Sequence, residues 1–235
     1  MRRSIAFVIL LLGILTFCAC NNEPNDNFTL RGKVKGLKKG ILYLQKEVDT
    51  GIIDLDSMVI KGEPEFLLST TLDEPMVLYL KLFKNDGEEH YIPFFANKGE
   101  TYITTNLDNF SFDATIKGSK QQEVLENYLK VMSQFNNRNL DLIKQSFLAQ
   151  KAKDTVVSDS LQSASNQLLK RKYAYTINFA LNNSNSEVAP YLALYEIPNA
   201  NKKFLDSIYG NLNDTIKSSY YGIKLKSALD QSVEN

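Results

Sequence analysis

Phe110-Ser111-Phe112-Asp113-Ala114-Thr115-Ile116-Lys117 alternates apolar and polar residues, and Gly118-Ser119 then opens Lys120-Gln121-Gln122-Glu123-Val124-Leu125-Glu126-Asn127-Tyr128-Leu129-Lys130-Val131-Met132. The first stretch has the period of two expected of a strand with one buried face. In the second, Val124, Leu125, Tyr128, Leu129, Met132 and Phe135 recur every three or four positions, the spacing of one helical face. The step between them divides the chain into a strand-forming part and a helix-forming part.

Upstream of the step, short apolar segments are separated by Gly, Asp, Asn and Pro, which is how antiparallel strands and tight turns read. Phe28 to Val34 is followed by a turn over Gly36 to Gly40 and by Ile41-Leu42-Tyr43-Leu44. Met58 to Ile60 breaks at Lys61-Gly62, and Phe66 to Leu68 resumes. Met76 to Phe83 ends at Asn85-Asp86-Gly87, a hairpin signal, and Tyr91 to Ala96 returns before the Asn97-Lys98-Gly99 turn and Tyr102-Ile103. Strands this short and this closely spaced predict an antiparallel sandwich or barrel over residues 28–118. Downstream, Leu140, Ile143, Phe147 and Leu148 are expected to continue the first helical face beyond an interruption at Asn136-Asn137. A second helix is expected from Ser158 to Leu181, with Leu161, Ala164, Leu168, Tyr175 and Phe179 inward. Pro190 marks a third start, Phe204, Ile208 and Leu212 a short helix, and Ile216 to Leu229 the last. The expected class is α+β, with a helical region over residues 119–235.

Composition narrows the chemistry. The chain has 235 residues, 43% of them hydrophobic and 23% charged, with Lys+Arg 27 against Asp+Glu 27. That is globular usage with no net positive field to draw in nucleic acid, so no nucleic-acid partner is expected. Two Cys and one His leave few ligands for a metal and few nucleophiles.

The N-terminus reads as a targeting device. Met1-Arg2-Arg3-Ser4 is a basic start, and Ile5 to Phe17 is apolar apart from Gly13 and Thr16. This run is shorter than the roughly 20 residues a membrane helix needs and fits a secretory apolar region. Phe17-Cys18-Ala19-Cys20 follows, and then the wholly polar Asn21-Asn22-Glu23-Pro24-Asn25-Asp26-Asn27. The segment resembles a bacterial lipoprotein signal, in which a small residue precedes the cysteine that is acylated after cleavage. Ala19-Cys20 matches that pattern, with Phe17 where it usually carries Leu. The resemblance implies a signal peptide over residues 1–19, lipid on Cys20 and a tether over residues 20–27. Loss of Arg2 and Arg3 would leave a small acidic excess and a mature chain whose sole cysteine, Cys20, is acylated.

A second resemblance rests on Leu55-Asp56-Ser57-Met58-Val59-Ile60-Lys61-Gly62 with Phe66. This is similar to the aspartate-serine, apolar, glycine, phenylalanine core of domain of unknown function 4369, found in envelope lipoproteins of certain Gram-negative bacteria. Phe28 with Gly32 and Val34, Phe94-Phe95 with Gly99 and Ile103, and Gly118-Ser119 with Gln122-Glu123 are similar to it as well. In many relatives a helical stretch and a thioredoxin-like domain follow, and Asn183 to Tyr191 and Leu205 to Leu225 resemble that connecting stretch. The sequence holds no Cys-x-x-Cys, so the relatives' disulfide reductase activity is not expected of it.

Other chemistry is sparse. His90, in Glu88-Glu89-His90-Tyr91, has acidic neighbours but lacks the nucleophile and orienter that a general base serves, and reads as a solvated hairpin residue. Asp54-Leu55-Asp56 places two carboxylates on one side of a strand, which reads as structural because calcium needs six or more oxygens. No catalytic, cofactor-binding or metal-ligating residue is assigned, and Cys20 is the one site residue. The expectation is a non-enzymatic, lipid-anchored protein of a Gram-negative cell envelope, placed at the outer membrane, that binds an envelope protein or a small ligand. The alternative is an accessory partner or degenerate relative of a thioredoxin-like envelope reductase.

Overall fold

The computed structural model describes residues 26–231, so the lipoprotein-like signal and Cys20 lie outside the described residues. Eight strands come first: β1 (Phe28–Lys35), β2 (Lys39–Val48), β3 (Gly51–Lys61), β4 (Glu65–Thr70), β5 (Met76–Phe83), β6 (His90–Ala96), β7 (Gly99–Asn106) and β8 (Thr115–Lys117). They form two four-stranded sheets, ordered β4-β1-β7-β8 and β3-β2-β5-β6, with no closed barrel. Inward residues alternate along the strands, and Phe28, Leu30, Leu42, Leu44, Leu68, Leu78, Leu80, Leu82, Phe94 and Ile103 are wholly buried between the sheets.

The sheets depart from the expectation in two places. β1 and β7 pair in parallel, Phe28 beside Gly99 through Lys35 beside Asn106, while every other pair is antiparallel. Five strands lie between these two in the chain, long enough for the crossover that a parallel pair requires. The alternating stretch from Phe110 is mostly not a strand. Asn109 O accepts from the amides of Phe112 and Asp113, and Thr105 Oγ1 donates to Phe110 O, which folds residues 107–113 into turns. Phe110 is buried, but Phe112 is 91% exposed, and only Thr115–Lys117 joins the sheet.

Six helices follow: α1 (Lys120–Lys151), α2 (Thr155–Asn182), α3 (Val188–Tyr195), α4 (Lys202–Asn211), α5 (Asp214–Lys217) and α6 (Tyr220–Gln231). Ser119 caps α1, its side chain accepting from the Gln122 amide, and Asp154 caps α2 by accepting from Val157. Gly118 has a φ of +113° and packs so tightly that a Cβ would overlap the Glu100 carbonyl oxygen, so the switch from sheet to helix needs glycine there. The expected last helix is divided at Ser218-Ser219, where Gly222 lies against the carbonyls of Ile216 and Lys217.

α1 runs unbroken through Asn136-Asn137, both exposed, where an interruption was expected. Leu140, Ile143, Phe147 and Leu148 do not continue its buried face; all four are exposed, Phe147 by 66%. The buried and half-buried positions instead run through Tyr128, Met132, Phe135, Leu142, Ser146 and Ala149, separated by three, four or seven residues. At 100° per residue this leaves Leu140, Ile143 and Phe147 about a third of a turn to one side. Leu142, Ala149 and Leu161 form a small separate core there, with Ala164 and Leu168 against it.

Sheet and helices otherwise share one core. Leu125, Tyr128 and Met132 of α1, Val188 and Leu192 of α3 and Tyr221 of α6 belong to the same buried cluster as the sandwich. A second cluster, including Ala180, Ala189, Ile208, Leu212, Ile216 and Leu225, holds the remaining helices to one another. No helix of the described residues is long and apolar enough to cross a membrane.

Candidate functional site

The outer face of the β3-β2-β5-β6 sheet is divided into a covered end and an open end. At the covered end, Phe95 packs edge-on against Tyr191 and Tyr221, with ring centroids 5.5 and 5.8 Å apart. The Val77 amide donates to Tyr221 Oη at 3.0 Å, and the Phe95 amide to Gln122 Oε1 at 2.8 Å, so α6 and α1 satisfy sheet donors that no strand reaches. The Tyr220 amide donates to Glu74 Oε2 at 2.7 Å.

Tyr79, Tyr191, Tyr195, Tyr220 and Tyr221 enclose a cavity of about 90 Å³ with Glu47, Met76 and Val77. Burial, and then the charge of Glu47, pushes the Tyr79 phenol up to about 12, and burial raises those of Tyr191 and Tyr221 as well. These phenols stay protonated and hold the helical cap on the sheet.

At the open end no helix of the described residues lines the face. Leu42, Ile60 and Leu82 point into the sandwich, so Ile41, Val59 and Phe83 point out. The strand register sets these three side by side, Ile41 opposite Val59 on β3 and opposite Phe83 on β5. They floor a cleft of about 840 Å³ edged by Lys38, Lys39, Lys61 and Lys84. Lys39 and Lys61 are directly opposed in the register. Lys84 reaches Asp86 Oδ2 at 2.9 Å, whereas Lys38, Lys39 and Lys61 have no ion-pair partner among the described residues.

The titratable residues that stand out in the sequence have other employment. The hydrogen-bond partner of His90 is Asp86, at 3.1 Å between Nε2 and Oδ2. Lys84 and then His90 hold the Asp86 carboxyl well below the usual carboxylate range. Asp86, Glu88 and His90 are the one set of three His, Cys, Asp or Glu ligand atoms close together among the described residues, and the Lys84 ammonium already occupies the Asp86 side of it.

Asp54 and Asp56 are parted by a bulge at Leu55, since Gln45 pairs with Asp54 and Leu44 with Asp56. Gln45 Nε2 donates to Asp54 Oδ1 at 2.6 Å. Asp56 accepts from the amides of Ser57 and Ser69 at 2.7 and 2.8 Å and so ties β3 to β4 around the corner between the sheets. Phe66 lies over Gly32, where a Cβ would overlap both that ring and the Ile103 carbonyl oxygen. Asp56 and Phe66 of the aspartate-serine…glycine…phenylalanine pattern are therefore structural, tying β3 to β4 and packing on Gly32 of β1.

The architecture is an α+β protein in which a two-sheet sandwich carries a helical cap. Residues 28–125 match the family described as Domain of unknown function (DUF4369), a match that spans the sandwich and the first turns of α1. No curated protein and no solved structure matches the chain.

Proposed function

We propose that this is a non-enzymatic, lipid-anchored binding protein of a Gram-negative cell envelope, tethered through Cys20 at the outer membrane. The open end of the sheet is its binding surface. The observation that carries the binding role is the cleft itself: an apolar floor left uncovered by a helical cap that packs on Phe95 and Val77 of the same face. A non-enzymatic role is supported by the engagement of Asp54, Asp56, Asp86 and His90 in pairings that shape strands and turns. The anchor is supported by the lipoprotein-like run that ends at Ala19-Cys20.

Multiple acyl chains hold a protein to a bilayer far more firmly than one chain does. The native chain should therefore fractionate with membranes and take up labelled fatty acid, Cys20→Ser should do neither, and Cys18→Ser should label normally. Equal labelling of the Cys20→Ser protein would overturn the anchor.

A further inference from the structure

We propose that the open cleft binds a single-chain anionic amphiphile of the alkyl carboxylate class, its hydrocarbon lying over Val59, Ile41 and Phe83 and its head group between Lys39 and Lys61. This rests on the reading of that face as the binding surface and names what it takes. Three observations carry it.

The floor is apolar and exposed: Val59 is 54% and Phe83 43% accessible, each next in its strand to a residue buried in the sandwich, Ile60 and Leu82. Three side chains abreast on strands about 4.8 Å apart make a strip roughly 10 Å wide, enough for an alkyl chain and too narrow for a protein interface.

The rim is cationic, and of its lysines Lys84 alone has an ion-pair partner among the described residues, Asp86. Four lysines and no carboxylate line the cleft, in a chain whose charges balance at 27 and 27. Lys39 and Lys61 face each other across two strands, an arrangement in which like charges repel, and a bound carboxylate would turn that repulsion into a two-point clamp.

The cleft is open, with a volume of about 840 Å³, within the range of small-molecule clefts. An inorganic anion would satisfy the lysines and leave the floor wet, whereas an amphiphile uses both.

The test is equilibrium binding of radiolabelled decanoate to the full-length chain reconstituted in phosphatidylcholine vesicles, with uptake by protein-free vesicles subtracted. The expected result is saturable binding of one decanoate per chain, weakened several-fold when salt is raised from 0.05 to 0.5 M and not displaced by decanol. The double change Lys39→Gln and Lys61→Gln should weaken binding at least tenfold, and Phe83→Glu should abolish it. All three side chains are exposed, and an unchanged circular dichroism spectrum checks that the variants fold. Equal binding by decanol, or undiminished binding by both variants, would overturn the proposal. So would association with phosphatidylglycerol vesicles, but not with decanoate, that Phe83→Glu removes; that result would keep the face as a binding surface and reject this ligand class. Equal labelling of the Cys20→Ser protein in the fractionation experiment would instead strike the anchor and leave the ligand untouched.

Discussion

The sandwich with its cap and the outer half of the α1–α2 hairpin handle similar apolar residues in opposite ways. In the body, Phe95, Tyr128, Leu192 and Tyr221 are buried in one continuous cluster drawn from both sheets and three helices. In the outer hairpin the buried cluster shrinks to Leu142, Ala149 and Leu161, while Leu140, Ile143, Phe147 and Val156 face solvent. At 1.5 Å per residue α1 is about 48 Å long, so its far end lies beyond the reach of the sheets. A helix that packs on one partner alone buries a narrow stripe, whereas one wedged between a sheet and other helices buries most of its girth. Where a residue sits along the hairpin therefore decides what its hydrophobicity is worth.

The largest expected effect comes from cutting the contact that joins sheet to cap. Phe95→Ala removes a fully buried ring that touches Tyr191 and Tyr221 and should destabilise the protein by about 3–5 kcal/mol. Denaturant curves followed by far-ultraviolet circular dichroism and by tyrosine fluorescence should move together. Helix signal persisting after the tyrosine signal is lost would break the comparison, because it would make the cap independent of the sheet. Tyr221→Phe keeps the ring and strands the buried Val77 amide, at a cost of about 1–3 kcal/mol by the same assay.

Alkali should probe the same joint. The Tyr79 phenol stands at about 12 when folded against about 10 when exposed, so it binds its proton more tightly in the native state. Its contribution is complete below pH 10 and is lost as pH rises toward 12; Tyr191 and Tyr221, raised by burial, act in the same sense. The melting temperature should fall over that interval, and ultraviolet titration should show a group of phenols that ionise only as the protein unfolds. The smallest effect should come from Phe147→Gln on the exposed flank of α1, within about 0.5 kcal/mol of the wild type.

The same contrast shows what was legible in the sequence. The change of period at Gly118-Ser119 is local, and Gly118 and Ser119 do the work of the switch themselves, as close-packing glycine and helix cap. Strands flanked by a turn signal, such as Met76 to Phe83 and Tyr91 to Ala96, were readable because their alternation and the Asn85-Asp86-Gly87 turn agree. The α1 seam was not, because it continues through the small residues Ser146 and Ala149 while a more hydrophobic flank lies beside it; geometry, not hydrophobicity, chooses the seam once α2 is in place. Phe110 and Phe112 misled because alternation persists through a turn closed by the Asn109 carbonyl.

The cleft was hidden for a different reason. Lys38-Lys39-Gly40, Lys61-Gly62 and Phe83-Lys84-Asn85 each read as an ordinary strand end, and only strand register brings them together. The available signal was phase: Ile41, Val59 and Phe83 occupy the outward positions of strands whose inward positions are already apolar.

Native-state hydrogen exchange tests the shared core most directly, because it reads each segment's opening separately. Amides of β5, β6, α3 and α6 should exchange with one common free energy equal to that of global unfolding, and those of residues 138–165 with a distinctly lower one. Exchange of α3 and α6 at the lower level, with the strands alone at the higher, would contradict a core built jointly by sheet and cap.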